Sequence, residues 1–407
     1  MSEWKTYKLG EIYEFSSGLS KGKEFFGKGH DFVTFKDVFQ NYFLPKKLTS
    51  LVESNGKEQN SCSVLKGDVF LTRTSENDSE LGLSSVALKD YPHATFNGFT
   101  KRLRPKGNVE IIPEYAGFYF RSSKFRKRLS QFATMTTRAS LNNEILANLT
   151  IDLPDKNTQF QIGNTLKSID DKIELNLQMN QTLEAMAQAL FKEWFVNFNF
   201  PNFDGKLENG LPKGWRKGKL NEIVDVKGGT TPSTTKEEYW NGEFYWTTPK
   251  DLSNIQSPVL IDTERKITEL GVRQIGSGVM PKGTLLLSSR APIGYIAISQ
   301  VPISINQGYI AIQGKLVSNL FMLFWLKQNM DAVKSKANGS TFQEISKSNF
   351  REIETIIPSN ERLSLFEQTA VPIFEKIVEN VFQIQTLTQT RDTLLPKLMS
   401  GKIEIKK

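Results

Sequence analysis

Cysteine is all but missing from this chain: Cys62 stands alone among 407 residues. No intrachain disulfide can form, which fits a reducing, cytoplasmic setting. Histidine is nearly as scarce. His30 and His93 are the only two and lie 63 positions apart, so neither a His-x-x-His pair nor a Cys-His cluster is available and no structural metal is expected. Neither histidine is accompanied by a Gly-x-Ser-x-Gly elbow, and each is expected to sit on the surface or satisfy a loop. The longest apolar run is the seven residues 320–326, well short of the ~18 that would suggest a membrane span. The first residues, Met1-Ser2-Glu3-Trp4-Lys5, lack the basic-then-apolar pattern of a signal peptide.

Cofactor motifs are absent as well. Residues 22–29 come within one residue of a phosphate-binding loop, but Gly29 stands where a Ser or Thr must hold magnesium. No Gly-x-Gly-x-x-Gly follows a strand, no Asn/Asp-Pro-Pro-aromatic tetrapeptide occurs, and the adjacent acids Asp170-Asp171 fall on a helical pattern. No cofactor is expected, and any catalysis must come from another chain.

What is present points elsewhere. Fifty-two basic against 44 acidic residues leave a net charge of +8, a field that attracts polyanions such as nucleic acid. At ~150 residues per domain the length implies two or three domains, and the chain matches itself at a shift of 204 to 217 residues. Trp4-Lys5, Leu9 and Glu11-Ile12 return as Trp215-Arg216, Leu220 and Glu222-Ile223, and Thr34, Lys36 and Asp37 return as Thr248, Lys250 and Asp251. Residues 66–73 return, with one insertion, as 282–290, which aligns Arg73 with Arg290. From Pro154 and Pro358 onward the shift is constant at 204.

In that ungapped part, positions 162, 166, 169, 173, 176, 180, 183, 187 and 190 alternate steps of four and three and are mostly apolar, the seam of a coiled-coil helix. The second copy carries Phe366, Ala370, Ile373, Ile377, Asn380, Ile384, Leu387 and Leu394, with Arg391 breaking the series. Asn176, Asn180 and Asn380 on this seam are read as register pins, the alternative being that they face water. Pro372, matched by Ser168, predicts a short helix followed by a long one in both copies. From Ser168 to Phe195 a helix would span about 42 Å at 1.5 Å per residue, more than one ~34 Å turn of DNA. Around these segments, β-rich runs at 64–71, 284–288, 293–298 and 309–312 and helical patterns at 114–132 and 316–335 predict α+β domains.

Nine cations between residues 101 and 128 (Lys101, Arg102, Arg104, Lys106, Arg121, Lys124, Arg126, Lys127 and Arg128) face only Glu110 and Glu114, a density that can line a phosphate track or simply form a solvated face. Arg73 and Arg290, each after a strand, can fork onto guanine or clamp phosphate, or else tie two loops together. Lys36 and Lys250 each precede an Asp that either aims or neutralises them. Asn97 and the pair Asn306-Gln307 offer amides able to read adenine or to close a turn. Thr136-Thr137-Arg138 aligns with Ser340-Thr341-Phe342, hydroxyl pairs suited to phosphate. Thr74 follows Arg73, and Thr230 lies in Gly228-Gly229-Thr230-Thr231-Pro232-Ser233.

Together these residues resemble the specificity subunit of type I restriction-modification systems. The resemblance covers essentially the whole chain. It rests on Ile169-Asp170-Asp171-Lys172-Ile173-Glu174-Leu175-Asn176, on Phe191-Lys192-Glu193-Trp194-Phe195, on the connection from Phe200-Pro201 to Leu211-Pro212-Lys213-Gly214-Trp215, and on residues 394–403. In the second half it adds residues 228–233, Ser289-Arg290-Ala291-Pro292-Ile293-Gly294 and Asn306-Gln307-Gly308. The first half departs: Arg73-Thr74-Ser75 lacks the Ala-Pro-Ile-Gly continuation and Asn97-Gly98-Phe99 lacks the Gln. The resemblance implies two α/β target recognition domains (1–155 and 215–358) joined by long antiparallel coiled-coil helices (156–196 and 359–407), with a linker at 197–214 and an internal pseudo-twofold repeat. It further implies a non-catalytic protein that binds double-stranded DNA, two methyltransferase subunits and, in the full complex, restriction and translocase subunits. Candidate DNA contacts are Lys36, Arg73, Thr74, Asn97, Lys101, Arg102, Arg104, Lys124, Arg126, Lys127 and Arg138 in the first half. In the second they are Thr230, Lys250, Arg290, Asn306, Gln307, Ser340 and Thr341. A rival reading is a coiled-coil adaptor whose basic surface never reads sequence.

Overall fold

A computed structural model describes residues 4–73, 80–133, 141–290, 292–339 and 343–405. The chain forms two compact units, residues 1–172 with 386–407 and residues 173–385, so each takes in one end of each long helix.

The first unit carries a four-stranded antiparallel sheet in the order Tyr13–Ser17, Thr100–Pro105, Val69–Thr72, Ser84–Val86. A three-stranded sheet has Phe26–Val33 at its centre, antiparallel to Ser50–Val52 and parallel to Thr95–Phe96. A third ladder pairs Lys5–Lys8 with Thr150–Leu153. The second unit has the same plan. Val224–Gly228, Tyr309–Gly314, Leu285–Ser288 and Ile296–Ser299 follow in the same order, Trp240–Thr247 pairs antiparallel with Arg265–Ile267 and parallel with Ile303–Ile305, and Arg216–Lys219 pairs with Glu354–Ile357. A short fifth strand, Val259–Leu260, is added at one edge of its larger sheet. Both units are α+β, and the repeat extends from sequence to strand order.

The run 320–326 is buried at every residue because its helix, Asn319–Gln328, packs on the sheet with no face left to water. Both shorter helical patterns are broken in two. Pro113–Tyr119 is followed by Ser123–Ala133, and Asn319–Gln328 by Met330–Ser335. Ser122 Oγ accepts from Phe125 N at 3.3 Å and Asn329 Nδ2 donates to Trp325 O at 2.9 Å, local bonds that offer the backbone an alternative to continuing.

The long helices are Lys156–Phe195 and Asn360–Met399, 40 residues each, or about 60 Å. The expected break at Ser168 and Pro372 does not occur. Pro372 and Gln368, whose carbonyl loses its donor, both lie on the exposed side, where the missing bond costs less than it would in the buried seam. Phe366, Ala370, Phe374 and Ile377 hold the buried face across the proline.

Within the second unit the two helices run antiparallel, and the seam asparagines are 2% exposed or less. Asn380 Nδ2 donates to Asn180 Oδ1 at 2.9 Å, Asn180 Nδ2 to Ser257 Oγ at 3.3 Å and Asn176 Nδ2 to Gln383 Oε1 at 2.7 Å. A one-residue slip would bury these amides against apolar neighbours, so they pin the register. Within the first unit Arg391 sits on the seam without breaking it. Its Nη1 donates to Asp170 Oδ1 at 2.8 Å and its guanidinium lies 4.8 Å from the Tyr42 ring.

Candidate nucleic-acid interface

Each unit builds one rim from the ends of its central strands. In the first, Leu19 N donates to Phe96 O at 2.8 Å, a crossing so close that a Cβ on Gly18 would come within 2.2 Å of that oxygen. Asn97 N donates to Val33 O, and Asn97 Oδ1 accepts from Phe99 N at 2.7 Å, closing a turn. Phe99 O accepts from Arg73 N, and Arg73 O from Leu141 N. In the second, a Cβ on Gly229 would lie 1.8 Å from Ile305 O, which accepts from Thr230 N. Asn306 N donates to Thr247 O, Asn306 Oδ1 accepts from Gly308 N at 2.9 Å, Gly308 O accepts from Ser289 N, and Ser289 O from Ile345 N. These five bonds recur at corresponding positions in the two units.

The side chains on that shared frame do not. Strand ladders pair Thr72 with Thr100 and Ser288 with Tyr309, so Arg73 corresponds to Ser289, and Arg290 stands one residue further along. The alignment of Arg73 with Arg290 through an insertion is therefore corrected by one residue. Because strand side chains alternate, that one step sends the two arginines to different faces. Arg73 is partly buried, its Nε without a hydrogen-bond partner, whereas Arg290 is exposed and paired to Glu344 Oε1 at 3.1 Å. The same registers set Leu19 against Thr230, Gly98 against Gln307, Phe99 against Gly308 and Lys101 against Ile310.

The expected phosphate track between residues 101 and 128 does not form. Arg104 grips Asp68 with two bonds of 2.7 and 2.6 Å, and Arg102 donates to Ser63 O while stacking on Phe96. Lys124 and Arg128 both pair with Asp152, at 2.8 and 2.7 Å. Although burial opposes its charge, bonds from Lys124, Arg128 and Thr6 hold the Asp152 carboxyl below its usual range. Arg126 donates to Leu81 O. These cations hold the scaffold because sequence density cannot reveal which face a strand or helix turns inward. Of the candidates in that stretch, Lys127 is exposed, whereas Lys101 is buried at 7% exposure and bonded to Ser17 Oγ and Asn143 Oδ1 at 2.9 Å each.

Lys36 and Lys250 are exposed, and neither forms an ion pair with the Asp that follows it, Asp37 or Asp251. Those carboxylates accept from Thr34 N and Thr248 N, capping their own helices, and Lys250 reaches Glu264 instead. Asn97 and Asn306 spend their side-chain oxygens on the turns, as the turn reading had it. Thr230 and Gln307 are exposed, and Gln307 Oε1 accepts from Thr231 Oγ1 at 2.6 Å, so Thr231 joins the second rim. Phe99 was missed because an apolar residue carries no polar signature. Thr74, Arg138, Ser340 and Thr341 lie outside the described residues. Among the described residues no group of three or more His, Cys, Asp or Glu is placed to hold a metal, and no helix is long and apolar enough to cross a membrane.

Comparison with known proteins agrees with this duplicated frame. The family model for the type I restriction modification DNA specificity domain matches residues 1–185 and again 212–390. The specificity subunit of the type I restriction enzyme HindI from Haemophilus influenzae is 26% identical, with 99% of this chain and all of that one aligned. The MjaIX specificity subunit from Methanocaldococcus jannaschii is 40% identical across 42% of this chain and 40% of its own. The crystal structure of the S subunit of a type I restriction-modification system from M. genitalium superposes with a TM-score of 0.62 at 17% identity, covering 98% of this chain and 96% of that one.

Proposed function

This chain belongs to the type I restriction modification DNA specificity family, with its domain present twice, and from that premise we propose that each unit reads one half of a split, asymmetric double-stranded DNA target. The long helices set the gap between the halves and dock two methyltransferase subunits, to which restriction and translocase subunits are added for cleavage. Methylation and cleavage are the partners' chemistry. The observation that supports this most is the shared rim with unlike side chains, because one backbone carrying Arg73, Gly98 and Phe99 in one copy and Ser289, Gln307 and Gly308 in the other must read different bases.

In the first unit Arg73 faces the DNA, with Lys36 and Lys127 as outlying phosphate contacts. In the second unit Arg290, Thr230 and Gln307 do so, with Lys250 outlying. Asn97 and Asn306 shape the turns that present them. Arg290→Ala is expected to cost about 1–3 kcal/mol of specific binding and to relax one position of the second half-site. Selection from randomised duplexes in the presence of methyltransferase reads both effects. Equal weakening on every sequence makes the residue a phosphate contact, and selection of no sequence at all by the parent chain sinks the reading.

A further inference from the structure

Phe99 is 64% exposed, more than any other large hydrophobic side chain among the described residues. Its backbone is nevertheless firmly held. Phe99 N donates to Asn97 Oδ1 at 2.7 Å, its carbonyl accepts from Arg73 N at 2.8 Å, and Thr100 closes the turn on Asn97 O through its N and Oγ1 at 3.0 and 2.7 Å. Gly98 N ties the same turn to Leu19 O at 2.8 Å. A ring on so fixed a base is presented rather than left loose, and exposed apolar area is unfavourable by about 25 cal/mol per Å² until something covers it.

Its neighbours say what covers it. One step beyond the Thr72–Thr100 pair, Arg73 lies opposite Phe99 and its N donates to Phe99 O, while Lys101, 7% exposed, is bonded to Ser17 Oγ. Among the described residues neither Arg73 nor Lys101 has a carboxylate partner. Arg73 Nε is unpartnered, and Lys101 is held only by Ser17 and Asn143. An uncovered aromatic ring beside an arginine that has no carboxylate partner among the described residues asks for a partner with apolar flat faces spaced between negative charges. Stacked bases with their phosphates meet that description. The second unit has no counterpart, because a Cβ at Gly308 would press within 3.0 Å of the Pro249 ring and 3.1 Å of Asn306 Oδ1.

We propose that Phe99 is a wedge that packs into one base step of the first half-site and partly unstacks it, while Arg73 holds a flanking phosphate. The second half-site is read without a wedge. This rests on the DNA-reading proposal above and adds to it that the first half-site favours an easily unstacked pyrimidine–purine step at one position.

The test uses the full chain with its methyltransferase subunits and duplexes in which 2-aminopurine replaces, in turn, each purine of the first half-site. Binding of the parent chain should raise the fluorescence at a single step. Phe99→Ala should abolish that rise and weaken the specific target about tenfold, as loss of one base–aromatic stack does. It should leave the salt dependence of binding unchanged, because no phosphate contact is removed. Phe99→Trp should restore the signal, and Arg73→Ala should flatten the salt dependence instead. Phe99→Ala with parental affinity and an undiminished signal overturns the wedge, as does equal weakening on unrelated DNA. A parent chain that prefers no sequence refutes the underlying DNA-reading proposal, an outcome distinct from either.

Discussion

A chain with seven residues added to each long helix, between residues 172 and 173 and between 385 and 386, is expected to abandon its original target and select one whose half-sites lie about three base pairs further apart. Both insertions fall where the compact units divide, so the contacts inside each unit are kept. Seven residues preserve the seam, because the buried positions Ile162, Leu166, Ile173, Asn176, Asn180 and Ala187 follow a heptad. They lengthen a helix by about 10 Å at 1.5 Å per residue, against ~3.4 Å per base pair. Binding to the original duplex should fall by at least about a hundredfold, since a half-site is lost at ~1–3 kcal/mol per base pair. Adding four residues instead turns the two parts of each helix out of heptad phase and should abolish joint reading of both half-sites at every gap, while Asn180 and Asn380, both inside the second unit, stay paired. An unchanged gap after the heptad insertion would refute the helices as a spacer. Selection from duplexes with randomised gaps makes the comparison.

The second large effect concerns stability. Arg121→Met is expected to destabilise the first unit by about 3 kcal/mol or more, because it leaves four backbone carbonyls without their donor at about 1–3 kcal/mol for each that stays buried. Arg121 Nε donates to Ser84 O at 2.6 Å, and Nη2 reaches Val38 O, Phe39 O and Asn41 O at 2.8 to 3.0 Å. Two of those carbonyls belong to the last turn of the helix Phe35–Gln40, where a cation also answers the helix dipole. Burial pushes the guanidinium down to about 10, so it remains charged at neutral pH, and its plane lies 5.0 Å from the Tyr42 ring. Arg121→Lys should recover little, since a point charge cannot reach acceptors on both sides of a fork. Urea unfolding followed by circular dichroism measures the loss; a change under 1 kcal/mol contradicts this role.

Arg121 also shows how far the sequence can be read. The density of cations between Lys101 and Arg128 is plain in one dimension, but whether each meets phosphate or protein depends on which carbonyls and carboxylates the chain folds against it. Asp68 and Asp152 lie tens of residues away from most of the cations they hold. Periodicity travels better, because a heptad seam is a local property of one helix, and the burial of Asn176, Asn180 and Asn380 followed directly from it. Pro372 misled for the opposite reason. Its helix is maintained by contacts with other segments, and tertiary packing outweighs one missing bond. Arg73 and Arg290 look equivalent by eye, yet only the ladder register reveals the one-residue offset that turns them to different faces.

The central claim is that one duplicated frame carries two unlike readers. Sequencing the methylated positions in a host genome that expresses this chain with its methyltransferase subunits tests it most directly. The account predicts a single split motif whose two specified parts differ and are separated by a constant run of unspecified base pairs. One uninterrupted motif, or two identical halves, would contradict it.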